Sequence, residues 1–336
     1  MRVTFLNPGD ASDPFFHSVV SYMRRAAADL GVDLEVLDCH RDHGLMKRQA
    51  NELLERSSPP QYLLLVNEQS LAVEVLPRAG ALGIKVLIIN EGLMVPDQQK
   101  FGKPREIYPT WLGELVPDDQ QAGYLLGKRL ITEARSRGGS GGWLHLCGVA
   151  GAFTSSSLLR ISGLRKAVAE AGDVLLCEVA PANWNRERAA AVTAELLERH
   201  PETAVLWSAS DEMALGVVEA IRANGHRAGR DVAVGGIDWA PFAFDRIRDG
   251  SFTASVGGHF LDGAFGLILL FDHHHGHDFS ATQEQSRFAV ADRSNVDAYQ
   301  RLLSPEAAAR VDFGKLSKAR NPARQTYDFS VDAVLR

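Results

Sequence analysis

Short apolar segments alternate with amphipathic helical patterns along most of this chain, and this alternation limits its fold more than any other feature. Strands are predicted at residues 3–7, 33–37, 62–67 and 85–90, then at 142–147, 174–179, 204–208 and 232–237. Helices are predicted between them, at residues 16–30, 45–56, 71–82, 119–135, 158–171, 186–200 and 212–224. Successive strands joined by helices form parallel sheets with helices on both faces. The pattern therefore predicts an α/β fold with two doubly wound, Rossmann-like lobes.

The strand-and-helix plan occurs twice, and this repetition predicts two similar lobes. We assign residues 1–114 and 259–282 to an N-terminal lobe, and residues 115–258 and 283–300 to a C-terminal lobe. Residues 301–336 are expected to form an extension that packs on the lobes. Residues 95–114, which include three prolines, are predicted to form a connection outside the sheets, and residues 138–142 a flexible surface turn. Trp111 and Trp143 are expected to be structural.

Composition excludes several classes of function. The 36 basic and 42 acidic residues give a formal charge of −6, which does not favour nucleic-acid binding. No apolar run reaches about 18 residues, so no transmembrane helix is predicted. HExxH and GxGxxG are absent, so we predict neither an enzyme nor a cofactor. His273, His274, His275 and His277 end a predicted helix, where such side chains interact favourably with the helix dipole, and we favour this interpretation over a metal site.

Polar and aromatic residues follow the predicted strands, at the edge where ligands bind in open α/β sheets. Aromatic rings stack on the C–H faces of sugars, and carboxylates or amides bind hydroxyl groups, so a sugar or polyol fits these loops. Capping of the next helix is the alternative for Ser12 and Asp13, and is favoured for Asp211. One of the two adjacent phenylalanines is expected to face the ligand. The candidate residues in these loops are Ser12, Asp13, Phe15, Phe16, Asn90, Glu91, Phe153, Trp184, Ser210, Asp211, Asp238 and Trp239.

Several segments resemble the type I periplasmic binding proteins of the ribose-binding and autoinducer-2-binding kind. The resemblance spans residues 1 to about 280 and implies two lobes joined by a multi-strand hinge of three crossovers, with a ligand trapped by hinge closure. The matching segments are DPFFHSVVSYMRRAAADLGVDLEVLD, LGIKVLIIN, VPDDQQAGYLLGKRL, SASDEMALGVVEAIRANG and DVAVGGIDWAPFAFDRIRDGSFTASV.

The resemblance also implies which residues bind the ligand. The ligand arginine of the family falls on Arg160, and the last contact falls near Gly258 or His259. Asn90 and Glu91 replace the Asp-Arg pair of ribose binders, and Leu158 replaces their first arginine, which argues against ribose. The arginine that autoinducer-2 receptors carry near Gly257 is also missing. The ligand is therefore expected to be neither of these two.

These features together predict a solute-binding protein that takes up a small sugar, polyol or autoinducer-2-like ligand for an ABC importer. The alternative is a receptor that presents its closed form to a membrane sensor kinase. The effector domain of a LacI-type regulator is less favoured, because the chain starts directly on a strand. We expect a periplasmic monomer whose leader is absent from this numbering.

Overall fold

The computed structural model describes residues 1–137, 142–279 and 284–335, which form two compact units. Unit 1 comprises Met1–Pro117, His259–Arg287 and Leu303–Arg336, and unit 2 comprises Asp118–Gly258 and Phe288–Leu302. Most of the turn predicted at 138–142 lies outside the described residues.

The first 117 residues alternate between strands and helices, because each buried apolar strand is followed by turn residues and an amphipathic helix. Asp13 begins the first helix by accepting a hydrogen bond from the Phe16 backbone N–H at 2.9 Å, and Gly31 ends it with φ 72°. The elements are β1 (Arg2–Asn7), α1 (Pro14–Leu30), β2 (Asp33–Asp38), α2 (His43–Leu54), β3 (Tyr62–Leu65), α3 (Leu71–Ala81), β4 (Lys85–Ile89), α4 (Val95–Phe101) and β5 (Trp111–Pro117).

The central part of the chain repeats this alternation. One helix–helix contact in it depends on a glycine from each helix, since a Cβ on Gly123 or Gly163 would lie 1.9 Å from a backbone oxygen of the facing helix. The elements are α5 (Asp119–Ser136), β6 (Leu144–Ala150), α6 (Ser155–Ala171), β7 (Val174–Pro181), α7 (Arg186–Arg199), β8 (Thr203–Ser208), α8 (Asp211–Ala223), β9 (Ala233–Ile237), α9 (Pro241–Asp249) and β10 (Ala254–Gly257).

The remaining elements complete both units. They are α10 (Asp262–His274), β11 (Glu284–Ser286), β12 (Ala289–Asp292), α11 (Val296–Gln300), α12 (Pro305–Arg310) and α13 (Val331–Leu335). β11 pairs with β5 in unit 1, and β12 pairs with β10 in unit 2. Short 3-10 turns at 68–70, 259–261, 301–303 and 313–316 connect some of these elements.

The sheet of unit 1 is parallel throughout, in the order β11-β5-β4-β3-β1-β2. The sheet of unit 2 has the order β12-β10-β9-β8-β6-β7, and only its edge strand β12 is antiparallel. The predicted doubly wound α/β architecture is therefore confirmed. The strand order reverses between β1 and β3 in unit 1 and between β6 and β8 in unit 2. Loops at such a switch point form the usual ligand site of a doubly wound sheet.

The prediction for residues 95–114 is wrong. The segment contains α4 and most of β5, and every residue of β5 is buried, with Trp111 only 1% exposed. Its three prolines all precede β5 and lie outside the sheet, which explains why proline content was a misleading signal here. Trp143, which was expected to be structural, is 64% exposed and precedes β6.

Most of the predicted C-terminal extension, from Leu303 onward, belongs to unit 1. The carboxylate of Asp272, fully buried at the end of α10, accepts hydrogen bonds from the backbone N–H groups of Lys318 and Ala319 and from the hydroxyl groups of Ser317 and Tyr327. These four donors replace the water that the carboxylate loses on burial. No helix in the described ranges is both long and apolar enough to cross a membrane.

Candidate functional site

In unit 1, the loop after β1 places an acid and an aromatic pair at the start of α1. Phe16 is buried, whereas Phe15 is only partly buried and packs on the ring of His259, with 4.6 Å between centroids. The two adjacent phenylalanines therefore differ in burial. Ser12 is exposed, and its backbone N–H and hydroxyl both donate to Asp10 at 2.6 Å.

Asp13 is fixed on both of its carboxylate oxygens. One oxygen caps α1, and the other accepts a hydrogen bond from Arg41 Nε at 2.7 Å. The guanidinium group of Arg41 also donates to Glu68 at 2.8 Å and lies 4.7 Å from the ring centroid of Phe16. Capping, the alternative that we weighed for Asp13, is therefore confirmed.

The loop after β4 brings a buried amide to the same region of unit 1. Asn90 has φ 59° and is 8% exposed, and its Nδ2 donates to the His259 carbonyl oxygen and to an Asp262 carboxylate oxygen, each at 3.2 Å. Its Oδ1 is buried and has no hydrogen-bond partner among the described residues. Glu91 is partly buried, and its carbonyl oxygen accepts from the Asn67 N–H at 3.1 Å. The buried Oδ1 of Asn90, which has no hydrogen-bond partner among the described residues, costs stability unless a ligand supplies a donor.

Glu114 of β5 lies behind this loop. It is 7% exposed, and its Oε1 accepts a hydrogen bond from the backbone N–H of Leu93 at 3.2 Å. Burial raises the pKa of the Glu114 carboxyl to about 7. Gly92 allows this approach, since a Cβ there would lie 2.9 Å from Glu114 Oε2.

In unit 2, Arg160 of α6 is the centre of a buried charge cluster. Its Nε donates to Asp119 at 2.7 Å, and its Nη1 donates to the Ala209 carbonyl oxygen at 2.7 Å and to Asp238 Oδ1 at 3.3 Å. Arg160 is only 5% exposed, so these partners, rather than water, stabilise its positive charge. Asp238, directly after β9, has the unusual φ of 131°.

Trp184 and Phe153 supply aromatic rings near the switch point of unit 2. Trp184 has φ 62° and is partly buried, and the guanidinium group of Arg160 lies 5.7 Å from its ring centroid. A Cβ on Gly151 would lie 2.2 Å from the indole ring, so this glycine makes room for it. Phe153 is 83% exposed, and no described contact joins it to this cluster.

The predicted roles of Asp211 and Trp239 need correction. The cap of α8 is Ser210, whose hydroxyl accepts from the Met213 N–H at 3.2 Å, and not Asp211. Asp211 is fully buried and accepts from the Ala240 N–H at 2.9 Å and the Ser255 hydroxyl at 2.8 Å. Burial, together with the negative charge of Asp238, raises the pKa of Asp211 to about 8.

Trp239 is buried inside unit 2, contrary to the expected ligand contact. It is 1% exposed, its indole N–H donates to the Ser255 carbonyl oxygen at 3.1 Å, and its ring packs on Tyr299 at 4.3 Å. A loop position after a strand was a poor guide here, because φ 58° turns this residue back into the core. Its indole is therefore left out of the site proposed below.

Sequence reasoning missed five charged residues that lie beside the candidate residues within each unit. The rule applied to the other strand ends would have found Arg41, since it follows β2, and Glu68, which follows β3. Glu114 was missed because residues 95–114 were predicted to form a connection outside the sheets. The remaining two, Asp119 and Asp262, lie at helix starts and gave no signal of their own. No group of three or more metal-ligating side chains suited to an ion occurs in the part of the chain that the structure describes.

Comparison with known proteins places this chain in a family. Residues 3–261 match the family described as periplasmic binding protein domain. The chain belongs to this family. A crystal structure of a periplasmic sugar-binding protein from Pseudomonas fluorescens is 35% identical, with a TM-score of 0.88, and the match covers 100% of this chain and 99% of that one.

Curated relatives include two sugar-binding proteins. The D-allose-binding periplasmic protein of Escherichia coli is 28% identical over 265 residues, which are 78% of this chain and 81% of that protein. The ribose import binding protein RbsB of Salmonella typhimurium is 26% identical over 246 residues, 73% of this chain and 75% of that protein. The type I resemblance found in the sequence is therefore confirmed at the level of the family and the fold.

Proposed function

We propose that this chain is a periplasmic solute-binding protein, not an enzyme, that captures a small sugar or polyol and delivers it to an ABC importer. The names of the relatives support the class of ligand, since they describe sugar binding, D-allose binding and ribose import. The departures from the ribose pattern at Asn90, Glu91 and Leu158 support a sugar other than ribose.

The observation that carries the proposal is the state of Asn90 in unit 1. Its amide nitrogen is used by protein partners, while its buried oxygen has no donor among the described residues. A sugar hydroxyl would supply that donor, and Phe15, stacked on His259, offers an aromatic face for a sugar ring. Water-poor surroundings strengthen such a hydrogen bond.

Unit 2 contributes a second set of contacts in this proposal. Asp238 is fixed by Arg160, and a carboxylate fixed in this way makes charge-assisted hydrogen bonds to hydroxyl groups. Trp184, which is partly buried beside the same arginine, supplies a second aromatic face. We propose that one ligand uses both clusters, so that it stabilises a closed form by its differential affinity for that form.

The remaining predicted residues fall into two groups in this proposal. Ser12, Glu91 and Phe153 are retained as peripheral contacts. The second group positions the site, because Asp13, Phe16, Ser210 and Asp211 are already engaged or buried within their own units.

Calorimetry on the full chain tests the proposal. The panel consists of D-allose, D-ribose, L-arabinose and myo-inositol, with mass spectrometry of any small molecule that the purified protein retains. We expect micromolar or tighter binding of at least one polyhydroxylated compound and a weaker interaction with ribose. Retention of a compound that carries no hydroxyl groups, with no binding across the panel, would overturn the proposal. An uptake assay in a strain that lacks the chain then separates delivery to an importer from signalling to a sensor kinase.

A further inference from the structure

A polar cavity lies within unit 2, at the amino-terminal end of β9 and β10. Its volume is about 200 Å³. Its lining includes Arg129, Glu133, Arg137, Gly250, Thr253 and Arg293. Asp238 follows the other end of β9, so the five residues of the strand, about 17 Å, separate this cavity from the candidate sugar site.

Three arginines from two parts of the chain meet around this cavity. Arg129 and Glu133 of α5 and Arg137, the residue that caps its C-terminus, are four residues apart and therefore lie along one side of the helix. Glu133 accepts from Arg129 at 2.9 Å and from Arg137 at 3.2 Å, and Arg129 also donates to Asp292 at 2.9 Å. Two of the three guanidinium groups are thus already balanced by carboxylates.

The third guanidinium group belongs to Arg293, and no carboxylate of the described residues balances its positive charge. It is exposed, and it makes no hydrogen bond or ion pair within residues 1–137, 142–279 and 284–335. Gly250 gives it room at the cavity, because a Cβ at that position would lie 2.8 Å from Arg293 Nη2. A planar guanidinium group in such a position can bind an oxyanion through two parallel hydrogen bonds.

Thr253 supplies an independent sign of a missing partner. The residue lines the cavity and is 8% exposed, yet its hydroxyl has no hydrogen-bond partner among the described residues. A buried hydroxyl left in this state is unfavourable, and an acceptor oxygen in the cavity would relieve it. Acceptor oxygens in the cavity would therefore satisfy both the N–H donors of Arg293 and the hydroxyl group of Thr253.

We propose that this cavity binds a small oxyanion of the phosphate type, held by Arg293 and Thr253. The guanidinium group of Arg293 provides the charge and the paired donors, and the Thr253 hydroxyl provides a further donor. Arg129 and Arg137, fixed by Glu133, provide a positive wall. The site is separate from the candidate sugar site and does not depend on the proposed function.

Calorimetric titration of the full chain with inorganic phosphate tests the site, at an ionic strength held constant with chloride. Arg293→Ala is expected to weaken phosphate binding roughly ten- to hundred-fold, the loss typical of a charge-assisted hydrogen-bonding group. Arg165→Ala, which removes an exposed arginine on α6 outside the cavity, is the matched control and should leave phosphate affinity unchanged. Equal affinities for the wild type and Arg293→Ala would overturn the proposal, as would the absence of any phosphate binding.

Two further variants separate the site from general charge attraction. Thr253→Val keeps the shape of the side chain and removes only the hydroxyl, so it should weaken phosphate binding several-fold while the folded chain stays as stable as the wild type. Glu133→Gln removes the competing carboxylate and should tighten binding. An unchanged affinity in Thr253→Val, or weaker binding in folded Glu133→Gln, would contradict the assignment of donors.

Discussion

The loop after β4 in unit 1 and the loop after β9 in unit 2 are held in similar ways but present different chemistry. Behind each loop lies a buried carboxyl with a raised pKa, about 7 for Glu114 and about 8 for Asp211. Each carboxylate accepts a backbone N–H of its loop, from Leu93 and from Ala240. The two units thus support their strand-end loops by the same device.

The polar groups of the two loops are not the same. Unit 1 offers a neutral amide, Asn90, whose oxygen is open to a donor, whereas unit 2 offers the carboxylate of Asp238, already paired with Arg160. A hydrogen bond to a neutral acceptor is insensitive to salt. In a buried ion pair, by contrast, removal of one member leaves the charge of the other buried without compensation. We therefore expect substitutions in unit 2 to cost more stability than the corresponding ones in unit 1.

The largest expected effect follows removal of the central arginine of unit 2. Arg160→Met leaves Asp119 and Asp238 without their cation, so the free energy of unfolding should fall by about 3–5 kcal/mol. Arg41→Met in unit 1 removes an arginine that is 47% exposed, and the fall should stay under about 1 kcal/mol. Urea denaturation followed by circular dichroism measures both changes. A larger loss for Arg41→Met would reverse the comparison.

The pH dependence of stability should come from the two buried carboxyls. Their pKa values are raised in the folded chain, so the folded state binds more protons than the unfolded state between the ordinary and the raised pKa. The free energy of unfolding should therefore fall as pH rises from about 4 to about 7 through Glu114, and up to about 8 through Asp211.

Isosteric amides distinguish the two contributions. Asp211→Asn should flatten the fall between pH 7 and 8, and Glu114→Gln should flatten it only up to about pH 7. Thermal unfolding at pH steps from 5 to 9 measures these slopes. Identical profiles for Asp211→Asn and the wild type would show that Asp211 is ionised in the folded chain, against this account.

Smaller effects are expected from two glycines that make room for site residues. Gly151→Ala places a Cβ 2.2 Å from the Trp184 ring, so the ring must move and sugar affinity should fall about ten-fold, with a change in tryptophan fluorescence. Gly92→Ala meets the end of the Glu114 side chain at 2.9 Å, which can shift more easily, and should cost only a few-fold. The reverse order of affinities would contradict the placement of Trp184 in the site.

The sequence predicted the architecture well because buried parallel strands give continuous apolar runs that alternate with helices. It predicted β5 wrongly because the prolines that precede this strand resemble those of a linker. Among the candidate site residues, Phe15 and Asn90 were selected from their positions after strands. Trp239 has the same kind of position, yet its φ of 58° and its packing on Tyr299 turn it inward, and such tertiary effects leave no local pattern in the sequence.

The central proposal is that Asn90 of unit 1 and Asp238 of unit 2 bind the same polyhydroxylated ligand. Calorimetry with the sugar that binds tightest to the wild type, applied to Asn90→Ala, Asp238→Asn and the double variant, tests this claim directly. The account predicts that each single variant, still folded, loses at least ten-fold in affinity for that sugar and that the double variant loses more. An affinity within two-fold of the wild type for either folded single variant would contradict it.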